Sequence, residues 1–286
     1  MRFLVLGATG MAGHMICIYL KEQGHSVVGY SRRKVDFVES IIGNVRETKK
    51  LQKIIQSNNY DVVINAVGLL NQFAENDKES AVFINGYLPH FLAKITKNMQ
   101  TQIIHISTDC VFSGSSGPYE ENAIRDGESF YDRSKAIGEL EDDKNLTLRN
   151  SIIGPDMNKN GIGLFNWFMQ QSEVNGYTHV MWTGLTTLQL AKIIEAAAFH
   201  KACGLINMVY KRGISKYDLL VLFNHYIRND EVIIHPYCDY VLNKTLIRTN
   251  FNFNYLVPDY EIMMAELAQW LKIHYQLYPH YYLGKN

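Results

Sequence analysis

The sequence predicts a doubly wound α/β fold on a parallel sheet, with a smaller C-terminal lobe. Three features predict it. Short β-branched runs alternate with helical patterns through the first half, a glycine-rich turn joins the first run to the first helix, and the alternation breaks after Arg149. The order is "RFLVLG", a helix from about Gly10 to Gln23, "HSVVGY", a helix near Thr48 to Ser57, and "DVVINAVG". A helix around Ala81 to Asn98 follows, then "TQIIHIST", a helix around Tyr131 to Leu140, and "NLTLRN".

Beyond Arg149, "NSIIGPDMNKNGIGLFNWFMQQ" carries turn residues and then an apolar, aromatic helix, as expected of chain leaving the sheet. The helix "TTLQLAKIIEAAAFH" and the strand "GLINMV" read as a unit that rejoins it. "SKYDLLVLFNHYI" and "DYEIMMAELAQWLKIHY" read as amphipathic helices, the last opening at Pro258 and Asp259. We therefore expect a Rossmann-type domain over residues 1–149, rejoined by about 184–209, and a substrate-binding lobe formed by 150–183 and 210–286.

Lys and Arg number 28, as do Asp and Glu, so no global field draws nucleic acid or an anionic membrane, and phosphate binding depends on local placement. Cys17, Cys110, Cys203 and Cys238 lie far apart and the histidines do not cluster, so neither a disulfide framework nor a metal site is expected. The N-terminal apolar run ends at a glycine and no stretch has membrane-spanning length. A cytoplasmic protein with a small-molecule partner is the expectation, and a homodimer stays open.

"GATGMAG" places Gly7, Gly10 and Gly13 directly after a strand and at the start of a helix. Glycines there permit a tight turn and close approach of a pyrophosphate to the positive helix end, with Thr9 and Met11 beside it. An NAD site usually ends its second strand in Asp or Glu; here Tyr30, Ser31, Arg32, Arg33 and Lys34 stand instead. Arginine offers a planar fork to phosphate oxygens, so NADPH is favoured over NADH, although Asp36 is near enough to reach a ribose. Asn44 and Val45 in "GNVRE", and Ala66, Val67 and Gly68 in "NAVG", are candidates for adenine and ribose contacts.

The strand "HISTDCVF" delivers Thr108 and Asp109 to the carboxyl edge of the sheet, where ligands of open α/β folds bind. On the next helix, Tyr131 and Lys135 stand one turn apart on one face. The same Tyr-x-x-x-Lys spacing recurs at Tyr30/Lys34, at Tyr240/Lys244 and at Tyr281/Lys285, which read as a strand end, an irregular stretch and the terminal tail. Context singles out the copy at 131. A phenol and an ammonium so placed can be an acid catalyst and its tuner. An ammonium ~5 Å from a tyrosine favours its phenolate by roughly 3 kcal/mol at an effective dielectric of 20, which would bring Tyr131 into working range.

With "GATGMAG", "NAVG", "STDCVFSG", "GPYEE", "YDRSKAIGE" and, more loosely, "LRNSIIG" and "WTGLTTLQLA", the chain resembles the extended short-chain dehydrogenase/reductase family and its dTDP-4-dehydrorhamnose reductase branch. The resemblance implies a 4-keto-6-deoxy nucleotide sugar as substrate and hydride from NAD(P)H, in deoxysugar and surface polysaccharide biosynthesis. It implies Tyr131 as general acid, Lys135 as its tuner and nicotinamide-ribose ligand, Thr108 on the ketone, and Asn85, where the family interrupts a helix, as a further cofactor contact. Cys110 occupies a position that related epimerases give to a proton-exchanging cysteine, so an epimerase or epimerase-reductase is an alternative. A non-catalytic NADP-binding regulatory subunit is another. His179 is a conceivable acid partner, though a turn or packing residue on its surroundings. For the nucleotide diphosphate, Arg149 and Arg248 are the first choices among Arg125, Lys159, Lys211 and Arg212. Gly184, Leu185, Thr186 and Thr187 depart from the branch's proline-and-tyrosine loop, leaving sugar and base open.

Overall fold

The strands that read as unbroken apolar runs are buried on both faces. In the computed structural model, which describes residues 1–281, β1 (Arg2–Leu6) leads through α1 (Met11–Glu22) to β2 (Ser26–Ser31) and β3 (Glu39–Ile42), then α2 (Thr48–Gln56) and β4 (Val62–Asn65). Next come α3 (Asn71–Asn76), α4 (Lys78–Ala81), a π-helical segment (Val82–Tyr87), α5 (Leu88–Ile95), β5 (Gln102–Thr108), α6 (Phe130–Ile137) and β6 (Leu146–Asn150). These strands and β10 (below) form a seven-stranded parallel sheet in the order β10-β6-β5-β4-β1-β2-β3. The order reverses between β1 and β4, and a crevice opens at their carboxyl ends.

Alternate residues of β1 serve the two faces. Phe3 and Val5 join the core under α1, whereas Leu4 and Leu6 join the one under α2 and α5, and all four are fully buried. Truncating any of them to alanine should cost about 2–5 kcal/mol.

After β6 the chain forms β7 (Ile152–Ile153), α7 (Leu164–Phe168), β8 (Glu173–Trp182), β9 (Leu185–Thr186), α8 (Thr187–His200), β10 (Gly204–Asn207), β11 (Ile214–Ser215), α9 (Lys216–Ile227), β12 (Ile233–Asn243) and α10 (Tyr260–Ile273). β10 pairs with β6, so the unit expected to return to the sheet does so. A three-stranded sheet, β11-β8-β12, lies apart from it.

Three features differ from the sequence reading. The helix expected around Ala81 to Asn98 is broken by the π-helical segment at Val82–Tyr87. β3, half exposed, supplies an edge strand that its weak pattern did not announce. Tyr240 lies in β12, which pairs parallel with β8 through a bulge between Tyr237 and Val241, and not in irregular chain. Lys285 lies outside the described residues.

Candidate active site

The turn after β1 leaves room for a ligand and none for side chains. Gly7 adopts φ +87°, and a Cβ there would stand 3.0 Å from the Ala66 carbonyl oxygen. At Gly13 a Cβ would come within 2.0 Å of the Gly7 carbonyl oxygen, so only glycine lets α1 begin this close to the strand. Gly10 opens α1 with extended backbone and no side-chain cap, leaving its first N–H groups for an anion. Met11 is the first helical residue, and Gly163 from the far side approaches its sulfur. This cradle fits a dinucleotide pyrophosphate.

Beside it, Thr9, Arg33, Lys34, Asp36, Met157 and Lys159 are among the residues lining a cavity of about 700 Å³. Arg33 and Lys34 project from the end of β2, while Ser31 is buried and donates its hydroxyl to the Arg33 carbonyl at 2.6 Å, fixing the turn. Arg32 is exposed and is not among the lining residues. Asn44 and buried Val45 follow β3, where the Asn44 carbonyl accepts the Tyr30 hydroxyl at 3.0 Å. Half-buried Ala66 and Val67, then exposed Gly68, continue from β4. These groups can surround the adenosine half of a cofactor.

Asn85 is fully buried inside the π-helical segment, and its amide is engaged on all sides. It accepts from Leu69 N–H at 2.9 Å and donates to Leu69 C=O at 2.9 Å and to Ser134 Oγ at 3.0 Å. We expected a cofactor contact; the side chain instead fastens the loop after β4 to α6.

That helix begins with a reciprocal cap, Ser129 Oγ accepting from Asp132 N–H and Asp132 returning the bond to Ser129 N–H. It turns Tyr131 and Lys135 inward, both buried. Thr108 ends β5, its hydroxyl accepting Cys110 N–H at 3.1 Å and donating to Asp109 Oδ1 at 3.2 Å. Burial pushes the Tyr131 phenol above its usual range; the neighbouring Cys110 adds to this, and the nearby Thr108 hydroxyl opposes it. Thr108, Cys110 and Tyr131 are thus brought together. Lys135 Nζ donates to the Ile106 carbonyl at 2.7 Å and lies 3.5 Å from His105 Nε2. Desolvation pushes that ammonium down to about 8, with Glu139 opposing. The Lys135 ammonium is thus held by the sheet, through the Ile106 carbonyl, while burial dominates the Tyr131 phenol.

Burial first, then the charge of Asp109, pushes the Cys110 thiol up to about 12, against the pull of Lys244. Such a thiol is no base near neutral pH. His179 lies within β8 and is bonded to the Cys238 carbonyl at 3.1 Å. Among the described residues no cluster of three or more His, Cys, Asp or Glu could hold a metal ion.

The two arginines expected at the diphosphate are committed elsewhere. Arg149 is fully buried, paired with Glu139 at 2.6 Å, bonded to the Glu121 carbonyl and Asn207, and over the Phe112 ring. Arg248 clamps its own loop through the carbonyls of Asn250, Phe253 and Tyr255. Arg125 is likewise bound to Glu139 and Glu141. Burial raises the Asp109 carboxyl above its usual range, and the charges of Lys216 and Lys244 oppose that rise. Neither stands in a motif. Lys244 even belongs to a Tyr-x-x-x-Lys copy set aside as incidental, so only the packing of the lobe on the sheet could reveal them.

Comparison with known proteins supports this reading. The family model "RmlD substrate binding domain" matches residues 1–152. A "probable low-salt glycan biosynthesis reductase" of Haloferax volcanii is 32% identical over 139 residues, 47% of this chain and 46% of that protein. The chain thus spans about half the length of that relative. A "dTDP-4-keto-6-deoxy-D-glucose reductase" of Streptomyces niveus is 25% identical over 231 residues, 76% of each chain. Among solved structures, a dTDP-4-dehydrorhamnose reductase of Bacillus anthracis in complex with NADP superposes with TM-score 0.77 over 93% of this chain and 98% of that one, at 18% identity. At that identity the likeness is one of fold.

Proposed function

The chain belongs to the RmlD substrate-binding domain family, and from that premise we propose that it is an NADPH-dependent reductase of the 4-keto group of a 4-keto-6-deoxy nucleotide sugar, acting in deoxysugar or surface polysaccharide biosynthesis. One observation carries the proposal. Thr108, at the end of β5, and Tyr131, on α6, are both buried at the carboxyl edge of the sheet, with Lys135 one turn along and a glycine cradle behind.

The nicotinamide supplies the hydride. The chain's own residues handle the oxygen. Tyr131, held protonated by burial, donates its proton to the carbonyl oxygen as negative charge develops there, and Thr108 supplies the second hydrogen bond. The phenolate left behind would be stabilised by the ammonium of Lys135, one turn along the same helix, which would also hold the nicotinamide ribose. Asn85 and Glu139 hold the helix that carries both groups. Burial at the strand end keeps competing water away.

The test is to mix the protein with NADPH and a panel of dTDP-, UDP-, GDP- and CDP-linked 4-keto-6-deoxy sugars. Absorbance should fall with one of them, and Tyr131→Phe should slow that reaction by about 10²–10⁴-fold. No turnover with any member would overturn the proposal. The raised thiol of Cys110 favours reduction without epimerisation, so product formed in heavy water should carry no solvent deuterium on the carbon next to the reduced one.

A further inference from the structure

The cavity beside the glycine cradle is lined by two groups of residues far apart in sequence. Thr9, Arg33, Lys34 and Asp36 belong to the dinucleotide units; Lys159 lies in the loop between β7 and α7, and Leu277 follows α10. Its volume of about 700 Å³ suits a small-molecule ligand. Arg33, Lys34 and Lys159 face a single carboxylate, Asp36, so the lining carries a surplus of positive charge. Asp36 already stands 3.2 Å from Lys34, which leaves Arg33 and Lys159 without a carboxylate in the lining. Both are exposed, and so open to an anion.

Hydrogen bonds fix the loop that carries Lys159. Asp156 Oδ1 accepts from Asn158 N–H at 2.8 Å, and the Asn158 carbonyl accepts from Gly161 N–H at 2.9 Å. Asn166, fully buried on α7, donates its amide to the carbonyls of Lys159 at 3.0 Å and Gly161 at 2.6 Å. The chain after α10 then ties this loop to the cradle. The Tyr281 hydroxyl donates to Asn166 Oδ1 at 2.7 Å and accepts from Asp156 N–H at 3.0 Å, while Tyr281 N–H donates to the Tyr278 carbonyl at 3.0 Å. The Tyr278 hydroxyl lies 2.8 Å from His14 Nε2, and His14 Nδ1 lies 2.9 Å from the carbonyl oxygen of Gly10 in the cradle. Burial disfavours the charged ring, so Nδ1 donates to Gly10 and Nε2 accepts from Tyr278. A continuous run of hydrogen bonds thus joins Gly10 to the backbone of Lys159.

We propose that this latched loop is the outer wall of the pocket for the cofactor's adenosine end, and that its Lys159 grips the 2′-phosphate of NADPH together with Arg33. The inference rests on the NADPH reading of the site. The 2′-phosphate is the group that distinguishes NADPH from NADH, and a phosphate answers the surplus of positive charge in the cavity. Arg33 offers it a planar fork and Lys159 a point charge. Lys159 thereby moves from the substrate diphosphate, for which the sequence made it a candidate, to the cofactor. It is a specificity residue, and Tyr278 and Tyr281 are positioning residues that act through His14 and Asn166.

The full chain is titrated calorimetrically with NADPH and NADH, and with 2′,5′-ADP and 5′-AMP, which carry the adenosine end alone. Lys159→Met should weaken NADPH and 2′,5′-ADP by about tenfold or more and leave NADH and 5′-AMP within about twofold, and Lys159→Arg should stay within about threefold of wild type for all four. Tyr281→Phe, which removes the bridge between Asp156 and Asn166, should weaken 2′,5′-ADP by about threefold or more and spare 5′-AMP. Equal affinity of wild type and Lys159→Met for 2′,5′-ADP overturns this inference alone, and so does a loss in Lys159→Met that falls on dTDP or UDP instead. If wild type binds 2′,5′-ADP no better than 5′-AMP, the inference falls together with the NADPH reading. Wild-type affinity in Tyr281→Phe overturns the latch; should that variant not fold, the two Lys159 variants decide.

Discussion

Glu139 and Arg149 form a bidentate pair closed off from solvent, with Nε and Nη2 lying 2.8 and 2.6 Å from the two carboxylate oxygens. Glu139 follows the glycine that ends α6, and Arg149 lies in β6, so the pair pins the end of the Tyr131–Lys135 helix to the sheet. Ser107 at 2.7 Å and Arg125 at 2.9 Å complete the carboxylate's partners. Burial opposes ionisation of Glu139, but these bonds, led by those from Arg149, outweigh it and hold the carboxyl below its usual range.

Arg149→Met therefore strands a buried carboxylate and should cost about 3–5 kcal/mol in urea unfolding. Pairing it with Glu139→Leu should recover part of that loss. A stability unchanged in the single variant, with only substrate KM raised, would return Arg149 to the role of substrate ligand.

Gly138 closes α6 against the π-helical segment, and a Cβ there would stand 1.9 Å from the Asn85 carbonyl oxygen. Gly138→Ala must push the two apart, at about 1–3 kcal/mol. Because Asn85 also holds Ser134 and Leu69, the shift should reach Tyr131 and lower kcat together with stability. Thermal unfolding and steady-state kinetics on the same sample check this; a lower Tm with unchanged kcat would uncouple the clamp from the site.

Arg33 and Lys34 line the cavity beside Thr9. If they bind a 2′-phosphate, Arg33→Ser should raise KM for NADPH by about tenfold or more and leave that for NADH nearly unchanged, since only NADPH carries the group that the guanidinium grips. Equal loss with both cofactors would place Arg33 elsewhere on the dinucleotide.

Lys135 is pushed down to about 8 by burial. A group with a lowered folded pKa keeps its charge only below that value, so the ammonium needed beside the phenolate is lost as pH rises through 8. Reductase activity should decline there, and Lys135→Arg, if it retains turnover, should move the decline upward. The same depression affects stability with a worked sign. Between about 8 and the ordinary lysine value the unfolded chain binds the extra proton, so Lys135 makes the fold gain stability as pH rises through that window. Urea midpoints of wild type and Lys135→Met at pH 7.5 and 9.5 separate the two effects, wild type gaining relative to the variant.

Much of this site was legible before any coordinates. Gly7, Gly10 and Gly13 declare themselves because only glycine survives where a Cβ would meet a backbone carbonyl, and that demand is local. Tyr131 and Lys135 declare themselves by helical spacing after a strand that ends in a hydroxyl. Asn85 was marked but its task was not, since its partners Leu69 and Ser134 lie 16 and 49 residues away. The long strands β8 and β12 were missed because Gly176 and His179 in the first and Pro236 in the second interrupt any apolar alternation, and β12 has no buried residue to mark an inner face.

Local chemistry in the chain thus settles the strand-turn-helix rhythm and the glycine turn, and it singles out Tyr131, the residue we propose as acid catalyst, because all of these depend on neighbours a few residues apart. The fate of the charges was decided by tertiary packing. Arg149 looked free for a phosphate and is sealed onto Glu139, and Arg248 is likewise spent on the carbonyls of its own loop. A charge is read by what surrounds it, and for Arg149 those surroundings come from segments tens of residues distant.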